Sequence, residues 1–221
     1  MNAANPSPDC PLCPRLAAYR KEQRVAHPNW FNAPVPVFGD PAAWLAIVGL
    51  APGLKGGNRT GRPFTGDGSG KILFDVLERL GLSEGDYTGS ADDELALTGT
   101  AIVNAVRCVP PLNHPTPEEM RTCRQFLEGA LEALPNVRVV VALGQIAHQS
   151  SVKAIGGKLP KARFAHGAEH RVPSGLILID SYHCSRLNQN IGLLTAEMLE
   201  AVFARAIELG QPQDEVRAAS I

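Results

Sequence analysis

Four cysteines stand at a spacing that packing alone does not require. Cys10 and Cys13 form a Cys-Pro-Leu-Cys step near the start of the chain, and Cys108 and Cys123 lie far downstream with fourteen residues between them. A CxxC step brings two thiolates to one metal centre, and a second pair closes a four-sulfur site. That is the ligand set of an iron–sulfur cluster or of a structural zinc. The stretch before Cys10 is polar and holds Pro6 and Pro8, which is no secretory signal. Reduced thiols ready for metal are therefore expected in place of disulfides.

The segments between these pairs carry further polar chemistry. The loop from Gly53 to Gly70 is the densest signal. It fails as a Walker loop, because Ile72 follows Lys71 where Ser or Thr is needed, and it is too long for a dinucleotide turn. Its glycines let backbone approach a flat ligand, and Phe64 offers a ring face for a base. Asp67 or Ser69 also suits the cap of a following helix. Asn104 ends an apolar run, and its amide can match the Watson–Crick edge of a pyrimidine or simply satisfy local backbone. His183 follows another apolar run. A neutral imidazole N–H there could stabilise charge on a leaving base, and Leu187, between Arg186 and Asn188, could wedge into a base stack.

The elements that must position these groups alternate. A helix is expected over 15–26, stopping before Pro28, then a proline-rich ordered loop over 28–43. Strands are expected over Trp44–Leu50, Thr100–Val106, Val137–Leu143 and Leu176–Asp180. Helices are expected over Ile72–Leu80, Pro117–Leu134 (Thr116 as cap, Pro117 in the first turn), Gln145–Ile155 and Gly192–Leu209. Residues 85–98 read as an acidic connector and 156–174 as a basic loop. The fold class is α/β: a three-layer sandwich with a central, mostly parallel four-stranded sheet flanked by helices. Sites in such sheets lie at the carboxyl ends of the strands, where Gly49–Gly70, Asn104–Cys108 and His183–Asn188 all fall.

The whole chain, 1–221, reads as a single domain, with 1–14 a metal-binding leader and 210–221 a flexible tail. Hydrophobic content of 44% fits a globular protein, and a net charge of −1 means that any nucleic acid must meet a local positive face. No apolar run is long enough to span a bilayer.

Together these segments resemble the uracil-DNA glycosylase superfamily, from Cys10 to about Leu194. The cysteine pairs resemble the cluster ligands of its iron–sulfur branches. Gly61-Arg-Pro-Phe-Thr-Gly66 is similar to the uracil-stacking segment, Asn104 to the base-reading Asn, Phe164-Ala-His-Gly167 to a further segment, and His183-Cys-Ser-Arg-Leu-Asn188 to motif 2. Motif 1 reads Gly49-Leu-Ala-Pro-Gly53, with Ala51 where family 4 enzymes carry an acidic residue. That is the pattern of family 5, the B type.

The resemblance implies a [4Fe-4S] cluster on Cys10, Cys13, Cys108 and Cys123. It implies Asp67 as water-positioning carboxylate and His183 as stabiliser of the leaving base. Ala51, Gly53, Phe64 and Asn104 would bind the base, and Asn58, Arg59, Arg62, Lys161, Ser185, Arg186, Leu187 and Asn188 would hold DNA. The implied partner is DNA containing uracil or other deaminated bases, met by a monomer on nucleoid DNA in the cytoplasm. The alternative is a damage-binding protein of the same fold without catalysis, since Ala51 replaces an acidic residue. Cys184 receives no role.

Overall fold

The computed structural model describes residues 4–210. In chain order the elements are α1 (Pro14–Ala26), β1 (Phe38–Gly39), β2 (Leu45–Gly49), α2 (Gly57–Thr60), α3 (Gly70–Arg79), β3 (Ser83–Glu84) and β4 (Ala96–Leu97). There follow β5 (Thr100–Asn104), α4 (Pro117–Glu132), β6 (Val139–Leu143), α5 (Gln145–Ala154), β7 (Glu169–Arg171), β8 (Ile177–Ser181), α6 (Arg186–Asn190) and α7 (Ala196–Gly210).

The sheet has six strands in the order β1-β5-β2-β6-β8-β7, so the expectation of four is corrected. The inner four are parallel, and the added edge strands, β1 on β5 and β7 on β8, are antiparallel. Both edges are too short to show a period of two. One lies inside the proline-rich loop and the other inside the basic loop, where composition masks them. The expected acidic connector likewise holds β4, which pairs with β3 in a small hairpin. The last helix starts at Ala196, not at the expected Gly192, whose left-handed φ of 70 breaks a helical start, and Arg186–Asn190 forms a separate short helix capped by Ser185. The tail expected over 210–221 lies, past Gly210, outside the described residues.

All residues of β2, β5, β6 and β8 are buried, as strands covered on both faces must be. One face packs against α3 and α7 through Leu73, Leu77, Leu199 and Phe203, the other against α4 and α5 through Leu127, Ala130, Ala147 and Val152. Thr116 caps α4 as expected: its hydroxyl accepts from Glu119 N at 3.2 Å, and Glu119 Oε2 accepts from Thr116 N at 2.8 Å. Glu119 also pairs with Arg15 at 2.7 Å. This ties the start of α1, just after Cys13, to the helix that carries Cys123.

The leader is built into the fold. Ala4 joins the core, Asn5 Oδ1 accepts from Val37 N at 3.1 Å, and Arg24 holds Asp9 at 2.6 Å.

Candidate active site and cysteine cavity

Parallel register sets the floor of the site. Gly49 at the end of β2 lies opposite Asn104 at the end of β5. A Cβ on Gly49 would stand 2.5 Å from Asn104 Oδ1 and 2.8 Å from Phe64 Cζ. Only glycine lets the amide and the ring meet over the strand end. The expected outcome for Gly49→Ala is therefore a fall in kcat/KM for the base excision that the resemblance implies, by up to about a hundredfold, since misplacing a reacting group by an ångström is that damaging. The unfolding midpoint should drop only modestly. An unchanged kcat/KM would show that the juxtaposition does not matter.

Phe64 has φ 53, a left-handed backbone that a bulky residue rarely adopts. The fold over-determines it. Tyr87 donates its hydroxyl to Phe64 O at 3.1 Å and accepts from Gly66 N at 3.3 Å. Such strain persists where the surroundings enforce it, and it marks a site. The ring lies 6.1 Å from that of His183, tilted by 33°.

Asp67 Oδ1 accepts from Ser69 N at 2.9 Å, an Asx turn. Ser69 is the residue at the cap position of α3, and it makes no side-chain capping bond. The other carboxylate oxygen rests against glycine: a Cβ on Gly53 would be 3.0 Å from Oδ2, and one on Gly56 would collide with it.

His183 follows β8, whose end is fixed from both sides. Asp180 is fully buried and receives His148 Nδ1 at 2.7 Å and His170 Nε2 at 2.9 Å. His148 Nε2 donates to Ala162 O at 3.0 Å. Tyr182 N donates to His166 Nδ1 at 3.1 Å, and Asn188 Nδ2 to His183 O at 2.7 Å. Burial pushes the His183 imidazole below its ordinary value, against a smaller opposing pull from the Asp67 charge. The ring is thus held neutral.

Ala51, Gly53, Phe64, Asp67, Asn104, His183 and Ser185 all line one cleft of about 260 Å³. That is just under the roughly 300–1,000 Å³ typical of drug-sized sites, a scale suited to a single base. Asn113 also lines it and was missed by sequence reasoning. It stands in the loop between the second pair of cysteines, with φ 58 after Leu112 at φ 55. The signal was the Leu-Asn-His-Pro run, whose Asn tolerates that conformation.

The residues expected on DNA divide. Arg59 and Arg186 are exposed, and with Lys55 they line a shallow depression that shares Asp67 with the cleft. Leu187 is 67% exposed. Lys161 is exposed but lines a different depression, with Lys158, His170 and Arg171.

Two expectations are corrected. Asn58 is buried and donates to Asn32 Oδ1 at 2.9 Å, so it braces the loop internally. Arg62 is buried and paired with Asp93 at 2.5 Å, and it also holds Ser90 O at 2.6 Å and lies 5.1 Å over the Phe38 ring. Neither side chain can reach a phosphate from there. Polar residues in a glycine-rich loop look alike in sequence whether they point in or out. Arg62→Met should lower unfolding free energy by about 2–4 kcal/mol in denaturant titrations, because the Asp93 charge loses its cation and keeps only its hydrogen bonds from Thr88 and Leu95. A loss confined to DNA affinity would restore the earlier role.

Cys10, Cys13, Cys108 and Cys123 line one cavity together with Arg20 and Arg107. Burial pushes the Cys13 thiol up to about 11 and that of Cys123 up to about 12, and it raises Cys108 as well. Four sulfur donors in one apolar pocket suit a thiolate-held metal centre, which would displace the thiol protons. Arg20 Nε and Arg107 Nε and Nη1 are buried without hydrogen-bond partners among the described residues, as expected beside an anionic group. The residues therefore fit such a centre. Cys184 is fully buried and lies outside this set.

The chain is similar to proteins of one known family. The family model described as the Uracil DNA glycosylase superfamily matches residues 36–206. A type-5 uracil-DNA glycosylase of Thermus thermophilus is 47% identical over 206 residues, covering 90% of this chain and 93% of the relative. A type-5 uracil-DNA glycosylase of Pyrobaculum aerophilum is 44% identical, covering 90% and 88%. A type-4 uracil-DNA glycosylase of Archaeoglobus fulgidus is 38% identical over 117 residues, half of each chain: 52% and 50%.

Proposed function

The chain belongs to the uracil-DNA glycosylase superfamily, in its type-5 group, and from that premise we infer how its cleft works. The protein is a DNA repair glycosylase that hydrolyses the N-glycosidic bond of uracil and leaves an abasic site. Other deaminated bases are substrates of the same cleft. It acts as a monomer on nucleoid DNA in the cytoplasm.

The observation that carries this reading is that Asp67 and His183 line one base-sized cleft with Phe64 and Asn104. A base in duplex DNA is out of reach, so it is extruded, and a mispaired base is the easiest to flip. Leu187, exposed beside the cleft-lining Ser185, fills the vacated stack. Arg59, Arg186 and Ser185 hold the backbone, with Asn188 fixing the His183 main chain. Lys161 meets the flanking duplex. Phe64 stacks on the base while the Asn104 amide reads its edge.

Bond breaking leaves positive charge on the sugar and negative charge on the base. Asp67 faces the sugar, stabilises its charge and orients the attacking water. His183, neutral, donates to the base oxygen as that oxygen gains charge. Ala51 contributes no charge, so the whole carboxylate task falls to Asp67.

Cys10, Cys13, Cys108 and Cys123 hold a [4Fe-4S] cluster. When bound, it supplies a rigid cross-link between the leader and the loop that carries Asn113. In hydrolysis the sugar–base bond breaks, the oxygen of the oriented water bonds to the sugar carbon, and a proton from that water ends on the departing base. Brown colour with iron and sulfide in stoichiometric amount supports the cluster, and a colourless protein with bound zinc overturns it.

A single-turnover assay on uracil-containing duplex, with hypoxanthine and xanthine beside it, tests the function. Abasic product is expected for all three. Binding without product would favour the damage-binding alternative.

A further inference from the structure

The surroundings of Cys108 hold two buried cations with idle donors. Arg107 is 0% exposed; its Nη2 donates to Asn5 Oδ1, while Nε and Nη1 meet no partner among the described residues. Arg20 is 3% exposed; Nη1 donates to Cys108 Sγ at 3.4 Å and Nη2 to Cys10 O at 2.8 Å, while Nε is idle. Leaving a guanidinium buried with unused N–H groups is strongly unfavourable unless an anion meets it. Among the described residues no carboxylate fills that need. Asp9 pairs with Arg24 in solvent, and Glu119 pairs with Arg15. Both arginines line the cavity that the four cysteines share, and Arg107 N donates to Cys123 Sγ at 3.3 Å.

We propose that Arg20 and Arg107 are the built-in counter-charge of the sulfur-held cluster, and that they raise its reduction potential. The inference rests on the reading of the four cysteines as cluster ligands. Four thiolates around a doubly positive core leave two negative charges, and one added electron leaves three. Fixed positive charge and N–H donors beside the sulfurs favour the more negative state, so they make the cluster easier to reduce. The two guanidiniums also neutralise the oxidised cluster, which would otherwise be an uncompensated anion in an apolar pocket.

The test is a redox titration of the iron-loaded protein with dithionite and mediators, read by visible absorbance and electron paramagnetic resonance. Wild type is compared with Arg107→Met, Arg20→Met and Arg107→Lys. At a fixed ambient potential each Met variant should show a reduced-to-oxidised ratio at least about tenfold lower, equal to 59 mV for one electron. Arg107→Lys keeps the charge and should recover most of the ratio. Loss of iron from both Met variants, with circular dichroism unchanged, also supports a counter-charge. Ratios within twofold of wild type in both loaded Met variants overturn the proposal alone. A wild-type protein that excises uracil but binds zinc and no iron overturns the cluster reading, and this proposal with it.

Discussion

Asp67→Asn is expected to slow uracil excision by about a hundredfold to a thousandfold in single-turnover assays while leaving duplex affinity close to wild type. Asn is nearly isosteric, and it keeps an oxygen to accept from Ser69 N, so the Asx turn that seats the side chain survives. What is lost is the negative charge opposite the developing sugar cation and the acceptor that orients water. A single electrostatic contact of this kind is worth about 3 kcal/mol. Since Ala51 supplies no carboxylate, no second acidic side chain among the described residues lines the cleft to share the task. Wild-type excision by Asp67→Asn would remove Asp67 from the mechanism, and loss of DNA binding in step with activity would make it a structural residue.

His183→Ala should also slow excision about a hundredfold, and it carries a pH signature that packing loss would not. Burial lowers the affinity of His183 for its proton, so the neutral donor persists below the ordinary value of about 6.5. In wild type kcat/KM should be flat near neutrality and fall on the acid side only below that value. In His183→Ala the residual rate should lack this limb.

Stability moves in the same direction. The unfolded chain binds the proton first as pH falls, so the native state loses stability from about pH 6.5 down to the lowered native value, and regains it as pH rises. His166, also lowered by burial, adds to the same window. Chemical denaturation between pH 5 and pH 7 of wild type and the His183 variant separates the two contributions. An acid limb that persists in the variant would assign the titration to another group.

The regular elements were legible because their signals are local. The apolar runs at 45–49, 100–104, 139–143 and 177–181 read as buried strands, and Thr116 with Pro117 and Glu119 announced the start of α4. The edge strands were hidden, because two or three residues carry no period. The placement of Asn104 and His183 was equally legible: both follow apolar runs that can end only at the rim of the sheet, and both line the cleft there. Arg62 and Asn58 misled because a loop carries no periodicity to tell an inward from an outward side chain. Asn113 and Tyr87 were missed for a related reason. Asn113 lines the cleft and Tyr87 holds the Phe64 backbone, each from a connection whose return path sequence does not specify.

The amino-acid sequence alone determined the alternation of strands and helices, the family, and the types of group available for glycosidic chemistry. Those follow from short-range periodicity and from residue chemistry. Which loop side chains turn inward, as Arg62 and Asn58 do, and which unexpected residue, Asn113, joins the cleft was decided only by the tertiary structure. Parallel pairing joins residues some fifty positions apart, such as Gly49 and Asn104, through register. In addition, whether a charged side chain faces water or a buried partner depends on what the rest of the chain packs against it.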